Sequence, residues 1–206
     1  ANTFTVNAAT SLTVSANITN IVGNGTLNLF ANNGGVALNG VVEISNALTV
    51  NATAGITQDN SHILKATGLA TFNAGSSNIM LNGPDNNFGS LNLTGNAVSI
   101  NEASSSLLAA VNVASFNLIS NGTITQTGSA QVTGAASFNA GTNAITLTNV
   151  ANNFGSVSLN GTTVALNEQG DTDLGTVNAT TLNVTSGGAI TNSGNATGNT
   201  AGWSMS

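Results

Sequence analysis

The sequence predicts an all-β protein, a parallel β-helix (β-solenoid) of roughly nine coils. Three observations support this fold class. Apolar and polar residues alternate in short stretches, such as Leu27/Leu29 and Val98/Ile100, which is typical of strands with one buried face. Clusters of Gly, Asn and Asp separate these stretches, as expected for tight turns. A segment of about 66 residues also repeats along the chain, which indicates stacked copies of one structural unit.

The repeat is clearest in two motifs. Residues 67–75, TGLATFNAG, return as TGAASFNAG at 133–141, and NNFGS at 86–90 returns unchanged at 152–156. Roughly 29 positions of 67–130 are identical to their counterparts in 133–196. A β-sandwich also has short alternating strands and glycine-rich turns, but it does not predict such a repeat. The solenoid is therefore the favoured architecture.

The repeat also predicts how the chain is organised. Residues 67–132 form the second repeat and 133–198 the third, whereas 1–66 form a diverged first repeat and 199–206 a tail or cap. All are expected to belong to one continuous solenoid domain. Each full repeat divides into three coils of about 22 residues, each with about three strands of three to five residues. The Ile-Thr-Gln motif at 56–58 returns at 124–126 with an offset of 68, so two residues have been gained or lost nearby.

Composition excludes several classes of protein. Only 4% of the residues are charged and the net charge is −6, with Lys65 as the single basic residue besides the one histidine. Nucleic-acid binding requires basic residues that neutralise phosphates, so no nucleic-acid partner is predicted. No stretch approaches the ~20 apolar residues that span a bilayer, so no membrane insertion is expected. Cysteine is absent, which excludes a disulfide framework.

Some β-helix proteins cleave polysaccharides, which makes an enzyme one alternative. Lyase chemistry needs cationic groups, and Lys65 stands alone. Glu102 and Glu168 occupy equivalent positions of successive repeats, and three coils at ~4.8 Å each would separate them by about 14 Å. This exceeds the separation of a glycosidase carboxylate pair. No catalytic residue and no cofactor is therefore predicted.

The few titratable residues give no metal site. Asp171 and Asp173 lie on an expected loop, where a weakly bound surface cation is one interpretation and a solvated acidic turn the favoured one. His62 has only Asp59 near it in sequence, and no cysteine accompanies it. We expect His62 to lie on the surface beside the two-residue irregularity.

Asparagine and threonine supply most of the polar surface. Their abundance creates Asn-x-Thr sequons, which indicate either glycosylation or only the composition of the chain. Runs such as Thr146-Leu-Thr148 would suit an ice-binding face, but they are scattered over several strands. Asparagines at turns are expected to form ladders, in which each amide pairs with the next coil.

The aromatic residues give predictions for the interior and the ends. A stack of rings is predicted inside the coils, formed by Phe72, Phe88, Phe116, Phe138 and Phe154. At the ends, the alternating pairs Phe4/Val6 and Trp203/Met205 lie outside the charged part of the chain, so both ends are expected to be open strand edges. These four residues are the candidate interface between subunits, and the alternative is that Trp203 and Met205 plug the interior of their own subunit.

Segments of the repeats resemble a known family. AGTNAITLTN at 140–149, NNFGSVSLN at 152–160 and LNVTSGGAIT at 182–191 are similar to repeats of filamentous haemagglutinins, the large exoproteins of bacterial two-partner secretion. The resemblance covers 67–196 well and 1–66 loosely. It implies a right-handed parallel β-helix, export across the outer membrane, and adhesion or surface filaments. The sequence shows no obvious counterpart of that family's N-terminal secretion domain.

Together these observations predict a secreted, non-enzymatic structural protein. Its solenoids are expected to stack head to tail with copies of themselves into an extracellular or cell-surface filament, as in a biofilm or adhesion matrix. The alternative is a monomeric adhesin shaft, or a fragment of a larger exoprotein, that binds cell-surface glycans. A carbohydrate-active enzyme is the third and least favoured class.

Overall fold

The computed structural model describes residues 2–21, 25–198 and 203–205. These residues contain no helix, and their parallel strands wind into a β-solenoid of about nine turns, which confirms the predicted fold class. The chain divides into two compact units, Ala1–Ala103 (unit 1) and Ser104–Ser206 (unit 2). Below, a coil is one turn of the solenoid, and a column is a set of residues that pair in register through successive coils.

Unit 1 is built from short strands that pair in parallel with the next coil. One interior column consists of Phe4, Leu27, Leu48, Ala70 and Leu91, and its members lie about one third of a repeat apart in sequence. The strands are β1 (Thr3–Ala8), β2 (Leu12–Val14), β3 (Ile18–Ile21), β4 (Thr26–Ala31), β5 (Val36–Leu38), β6 (Val42–Ile44), β7 (Leu48–Ala52), β8 (Ile56–Gln58), β9 (Leu64–Asn73), β10 (Ile79–Leu81) and β11 (Asn87–Glu102).

Unit 2 follows the same plan, again with parallel pairing from coil to coil. One column runs through Ile124, Ile145, Val164, Leu182 and Trp203. The strands are β12 (Ser106–Ser120), β13 (Ile124–Gln126), β14 (Ala130–Asn139), β15 (Ile145–Leu147), β16 (Asn153–Glu168), β17 (Thr172–Ser186), β18 (Ile190–Asn192), β19 (Ala196–Gly198) and β20 (Trp203–Met205).

Several strands are longer than the three to five residues expected from the sequence. Strands β11, β12, β16 and β17 have 15 or 16 residues and shift register as they turn a corner of the coil. Two of these corners use the glycine of the NNFGS motif, because a Cβ on Gly89 would collide with Thr67 O and one on Gly155 would lie 2.5 Å from Thr133 O. The two repeated motifs thus pack against each other in neighbouring coils.

Alternation along the strands places one face inside each coil. In β4, Leu27 and Leu29 are fully buried, while the alternate residues Asn28 and Phe30 face outward. The five phenylalanines that were predicted to fill the interior are all buried. Their rings meet edge to face at centroid distances of 5.4 Å (Phe72–Phe88), 5.6 Å (Phe116–Phe138) and 5.7 Å (Phe138–Phe154). Edge-to-face pairs at these distances stabilise an apolar interior.

The coil of unit 2 is shorter than one third of a repeat. Along the column from Ile124 to Trp203 the chain advances by roughly 20 residues per coil instead of about 22. The repeat is therefore not a whole number of coils. Ile190, the counterpart of Ile124 in the next repeat, pairs with Thr172 and lies in a different column.

Candidate functional site

A buried pair of side-chain amides occupies one corner of unit 1. Asn86 Nδ2 donates to Gln58 Oε1 at 2.8 Å, and Gln58 Nε2 donates back to Asn86 Oδ1 at 2.7 Å. Asn86 also binds the backbone, since its Oδ1 accepts from Leu64 N at 3.0 Å and its Nδ2 donates to Leu81 O at 3.1 Å. Both amides are buried. The pair satisfies the polar groups of the turns and offers no group to a ligand.

Unit 2 contains the same arrangement. Asn152 and Gln126 exchange two hydrogen bonds of 2.8 Å, and Asn152 Oδ1 accepts from Ala130 N at 2.9 Å. Asn152 Nδ2 also donates to Leu147 O and Asn167 O, each at 3.1 Å. The NNFGS motif therefore starts with a buried asparagine because this one amide forms hydrogen bonds to the backbone of three separate segments.

The two additional residues of the first repeat lie in the loop between β8 and β9. Five residues, 59–63, separate Gln58 from Leu64, whereas three separate Gln126 from Ala130. Gln58 Nε2 donates to His62 O at 2.7 Å in the longer loop, and Gln126 Nε2 donates to Gly128 O at 2.6 Å in the shorter one. The loop thus changes length while the amide pair keeps its geometry.

His62 lies in this loop, partly exposed, beside Asp59 and Ser61. His62 Nδ1 is 3.4 Å from Asp59 Oδ2 and 3.1 Å from Ser61 Oγ. The Ser61 backbone and hydroxyl also bind Asp59, and these bonds lower the pKa of that carboxyl. Both the serine and the aspartate approach the same ring nitrogen, so the trio does not form a nucleophile–base–acid relay.

The two glutamates considered for catalysis are buried inside their coils. Glu102 Oε1 accepts from Phe88 N at 2.9 Å, and Glu168 Oε1 accepts from Phe154 N at 2.7 Å. Desolvation raises the pKa of Glu168, while the bonds from Phe154 N and the Thr172 hydroxyl oppose the rise. Each carboxyl thus stabilises the backbone next to an NNFGS phenylalanine and does not face solvent.

Four further charged residues make surface contacts between neighbouring coils. Asp171 Oδ1 accepts from Ala189 N at 2.8 Å, and Asp173 binds Ser193 N and Ser193 Oγ at 3.0 and 2.7 Å. Across the paired strands β6 and β9, Lys65 Nζ lies 3.2 Å from Glu43 Oε1. No group of three or more metal-ligating side chains occurs among the described residues.

The FNAG motif forms a second kind of corner. Its asparagine faces outward and accepts from the glycine N–H two residues later, at 2.9 Å in Asn73–Gly75 and 3.0 Å in Asn139–Gly141. The glycines have φ values of 58° and 56°, in the left-handed region that glycine adopts without steric cost. This geometry explains why both repeats retain the asparagine and the glycine.

In unit 2 the outward asparagines form a ladder, as expected for this composition. Asn160 Nδ2 donates to Asn139 Oδ1 at 2.7 Å, and Asn178 Nδ2 donates to Asn160 Oδ1 at 2.9 Å. The three residues occupy one column of neighbouring coils. Two of them, Asn160 and Asn178, belong to Asn-x-Thr sequons, so glycosylation there would disrupt the ladder.

In unit 1 the corresponding surface is a groove. It has a volume of about 550 Å³, and its lining includes Phe30, Asn32, Asn51, Thr53, Asn73 and Ser76. One column contains Phe30, Asn51 and Asn73. Within the described residues, the side-chain amides of the two asparagines do not bond to each other. The alternation of Leu27, Leu29 and Ala31 places Phe30 on the outer face, but no pattern in the sequence indicates a groove beside it.

The candidate interface residues lie on the first and last strands. Phe4 is 54% exposed and Val6 is half-buried, although both belong to interior columns. Strand β20 pairs with β17, and Trp203 and Met205 are in register with Leu182 and Val184. The side chains of Trp203 and Met205 lie outside the described part of the structure.

Comparison with known proteins gives one family. Three stretches, 24–94, 95–160 and 161–202, match the family described as "Repeats of unknown function (DUF5649)". The chain belongs to this repeat family. Two successive DUF5649 matches begin at 95 and 161, and this spacing equals the period of the sequence repeat. No curated protein and no solved structure matches the chain. Among the described residues, no helix is long and apolar enough to cross a membrane.

Proposed function

We propose that this chain is a non-enzymatic structural segment of an extracellular or bacterial cell-surface protein, and that its coils stack head to tail with a second copy to extend a filament. The exposure of Phe4 carries the proposal. Leu27, the next residue of the same interior column, is fully buried, whereas Phe4 is 54% exposed. One further coil on this edge would bury the Phe4 ring, just as the coil of β1 covers Leu27.

The edge of β1 has none of the usual protection against pairing. Among the described residues β1 pairs with β4 along one edge, and no described strand pairs with its other edge. Its sequence, TFTVNA, contains neither proline nor charge, and the first charged residue of the chain is Glu43. Natural proteins usually blunt strand edges with such residues. An edge without them favours pairing with another strand.

A second copy is the partner that the fold suits best. Within each unit the described coils already pair in parallel with neighbouring coils, and β20 of unit 2 runs parallel to β17. A leading edge and a trailing edge of parallel strands are complementary, and such a head-to-tail interface propagates instead of closing. The DUF5649 repeats and the solenoid fold favour this structural role.

Assembly can be tested on the full 206-residue chain by sedimentation velocity and electron microscopy. We expect filaments with a layer line near ~4.8 Å, the spacing between paired strands. Trp203 is the only tryptophan, so its fluorescence should shift to shorter wavelength as assembly proceeds. The Phe4→Asp variant should remain folded and monomeric, because it places a charge in the buried column.

Val150→Asp is the matched control, since Val150 is 75% exposed and lies in a turn of unit 2. It introduces the same charge and should assemble like the unmodified chain. A wild-type chain that stays monomeric at every concentration would overturn the proposal. So would filaments that form equally well with Phe4→Asp.

Adhesion is the second candidate, because the resemblance to filamentous haemagglutinin implies binding of cell-surface glycans by a monomeric shaft. The groove beside Phe30 favours this role. A monomer that binds glycans without forming filaments would support it over assembly.

A further inference from the structure

Phe30 differs from the other described phenylalanines in where it points. Leu29 and Ala31 on either side are buried, so Phe30 faces out of the coil and is only half-buried. The other described phenylalanines lie inside the coils or, like Phe4, in an interior column. An outward aromatic ring beside a groove offers a flat apolar surface to a ligand.

The amides around Phe30 are available for binding. Asn32 and Asn51 form no side-chain hydrogen bond within the described residues, and Asn73 uses only its Oδ1, for Gly75 N. In unit 2, Asn139, the counterpart of Asn73, is bound into the ladder by Asn160. In unit 1 the next coil places Thr94 beside Asn73, where unit 2 has Asn160, so the amides of this column keep donors and acceptors for a partner.

The groove contains no charge. Its lining consists of asparagine, threonine, serine, alanine and glycine besides the phenylalanine. The single lysine, Lys65, is paired with Glu43 elsewhere on the surface. The groove's volume of about 550 Å³ is within the range of about 300–1,000 Å³ that is common for small-ligand sites. A neutral ligand with many hydroxyl groups and one apolar face fits this chemistry.

We infer that this groove binds an uncharged glycan, with the C–H face of a pyranose ring on Phe30 and its hydroxyls hydrogen-bonded to Asn32, Asn51 and Asn73. The inference deepens the adhesion candidate, on which it rests, and is independent of filament assembly. Amides both donate and accept, as sugar hydroxyls do, so the site needs no ion to recognise the ligand.

Native gel electrophoresis of the full chain in gels containing neutral polysaccharides (dextran, mannan, a soluble β-glucan) measures the binding. We expect at least one polysaccharide to retard the chain. Phe30→Ala should weaken binding about tenfold, which corresponds to about 1.4 kcal/mol. Phe30→Leu keeps an apolar side chain and should also bind weakly, which separates loss of the ring from loss of folding.

Asn51→Ala should likewise reduce retardation. Asn178→Ala, a ladder residue outside this groove, is the matched control and should bind like the unmodified chain. Phe4→Asp should bind normally even where assembly is lost, so failure of one proposal is distinguishable from failure of the other. The inference is overturned if no neutral polysaccharide retards the chain, if only acidic polysaccharides do, or if Phe30→Leu and Phe30→Ala bind as before.

Discussion

Replacing Asn152 with alanine tests how much the buried amide pair stabilises the solenoid. The change removes five side-chain hydrogen bonds, those to Gln126 (two), Ala130, Leu147 and Asn167. The residue is fully buried, so water does not replace these bonds.

The expected loss of stability depends on whether each former partner of Asn152 can form another hydrogen bond. The N–H of Ala130 is fully buried and would lose its acceptor, which costs about 1–3 kcal/mol. Gln126 is half-buried and can turn toward water, so its two bonds cost less. With about 1 kcal/mol for the two Gln126 bonds together and about 1 kcal/mol for the two carbonyl contacts, the free energy of unfolding should fall by about 3–5 kcal/mol.

The adjacent Asn153 is the control, because it is exposed and differs from Asn152 by a single position. Asn153→Ala should change the free energy of unfolding by less than about 0.5 kcal/mol. Urea unfolding followed by circular dichroism gives both values. Asn86→Ala should cost more than Asn152→Ala, since Gln58 is itself buried. Equal small losses for Asn152→Ala and Asn153→Ala would refute the reasoning.

Three further changes test the corners and the interior. Phe154→Asp places a carboxylate inside the coil. It should prevent folding or lower the free energy of unfolding by more than about 4 kcal/mol, measured by thermal unfolding. A folded variant of normal stability would show that the ring does not fill the interior. Gly141→Ala should lower the free energy of unfolding in urea by about 1–2 kcal/mol, because Gly141 has a φ of 56°. Gly170→Ala is the control and should leave it unchanged, since a Cβ there would lie in open space. Equal losses for the two variants would contradict this reasoning. The raised pKa of Glu168 means that the folded protein holds the proton more tightly than the unfolded chain, so the free energy of unfolding should fall as pH rises from the ordinary carboxyl value to the raised one. Glu168→Gln should remove this fall. Parallel pH profiles of the unmodified protein and the variant would show that Glu168 does not cause it.

The fold was predictable because its signals are local. Alternation and turn residues identify the strands, and the repeat identifies stacking. The long bent strands were not predictable in the same way, since Gly89 is typical of a turn but in fact allows its coil to approach Thr67 of the preceding coil. The amide pair joins Gln58 to Asn86, which lies more than a full coil further along the chain, and no local pattern connects them. Coil length was not predictable either, because dividing the repeat equally into three gives coils longer than those of unit 2.

The pairing partners of the repeated motifs bear on how function arises in this chain. Since the repeat is not a whole number of coils, repeated motifs do not return to the same column, as Ile124 and Ile190 show within unit 2. Each FNAG asparagine nevertheless pairs with the residue at the same position of the repeat in the next coil, which is Thr94 for Asn73 and Asn160 for Asn139. Asn160 donates to Asn139 and forms a ladder, whereas Thr94 makes no such bond to Asn73 among the described residues. The motif fixes the corner, and the residue that varies at the pairing position decides whether the asparagine amides bond to each other or keep donors and acceptors for a ligand.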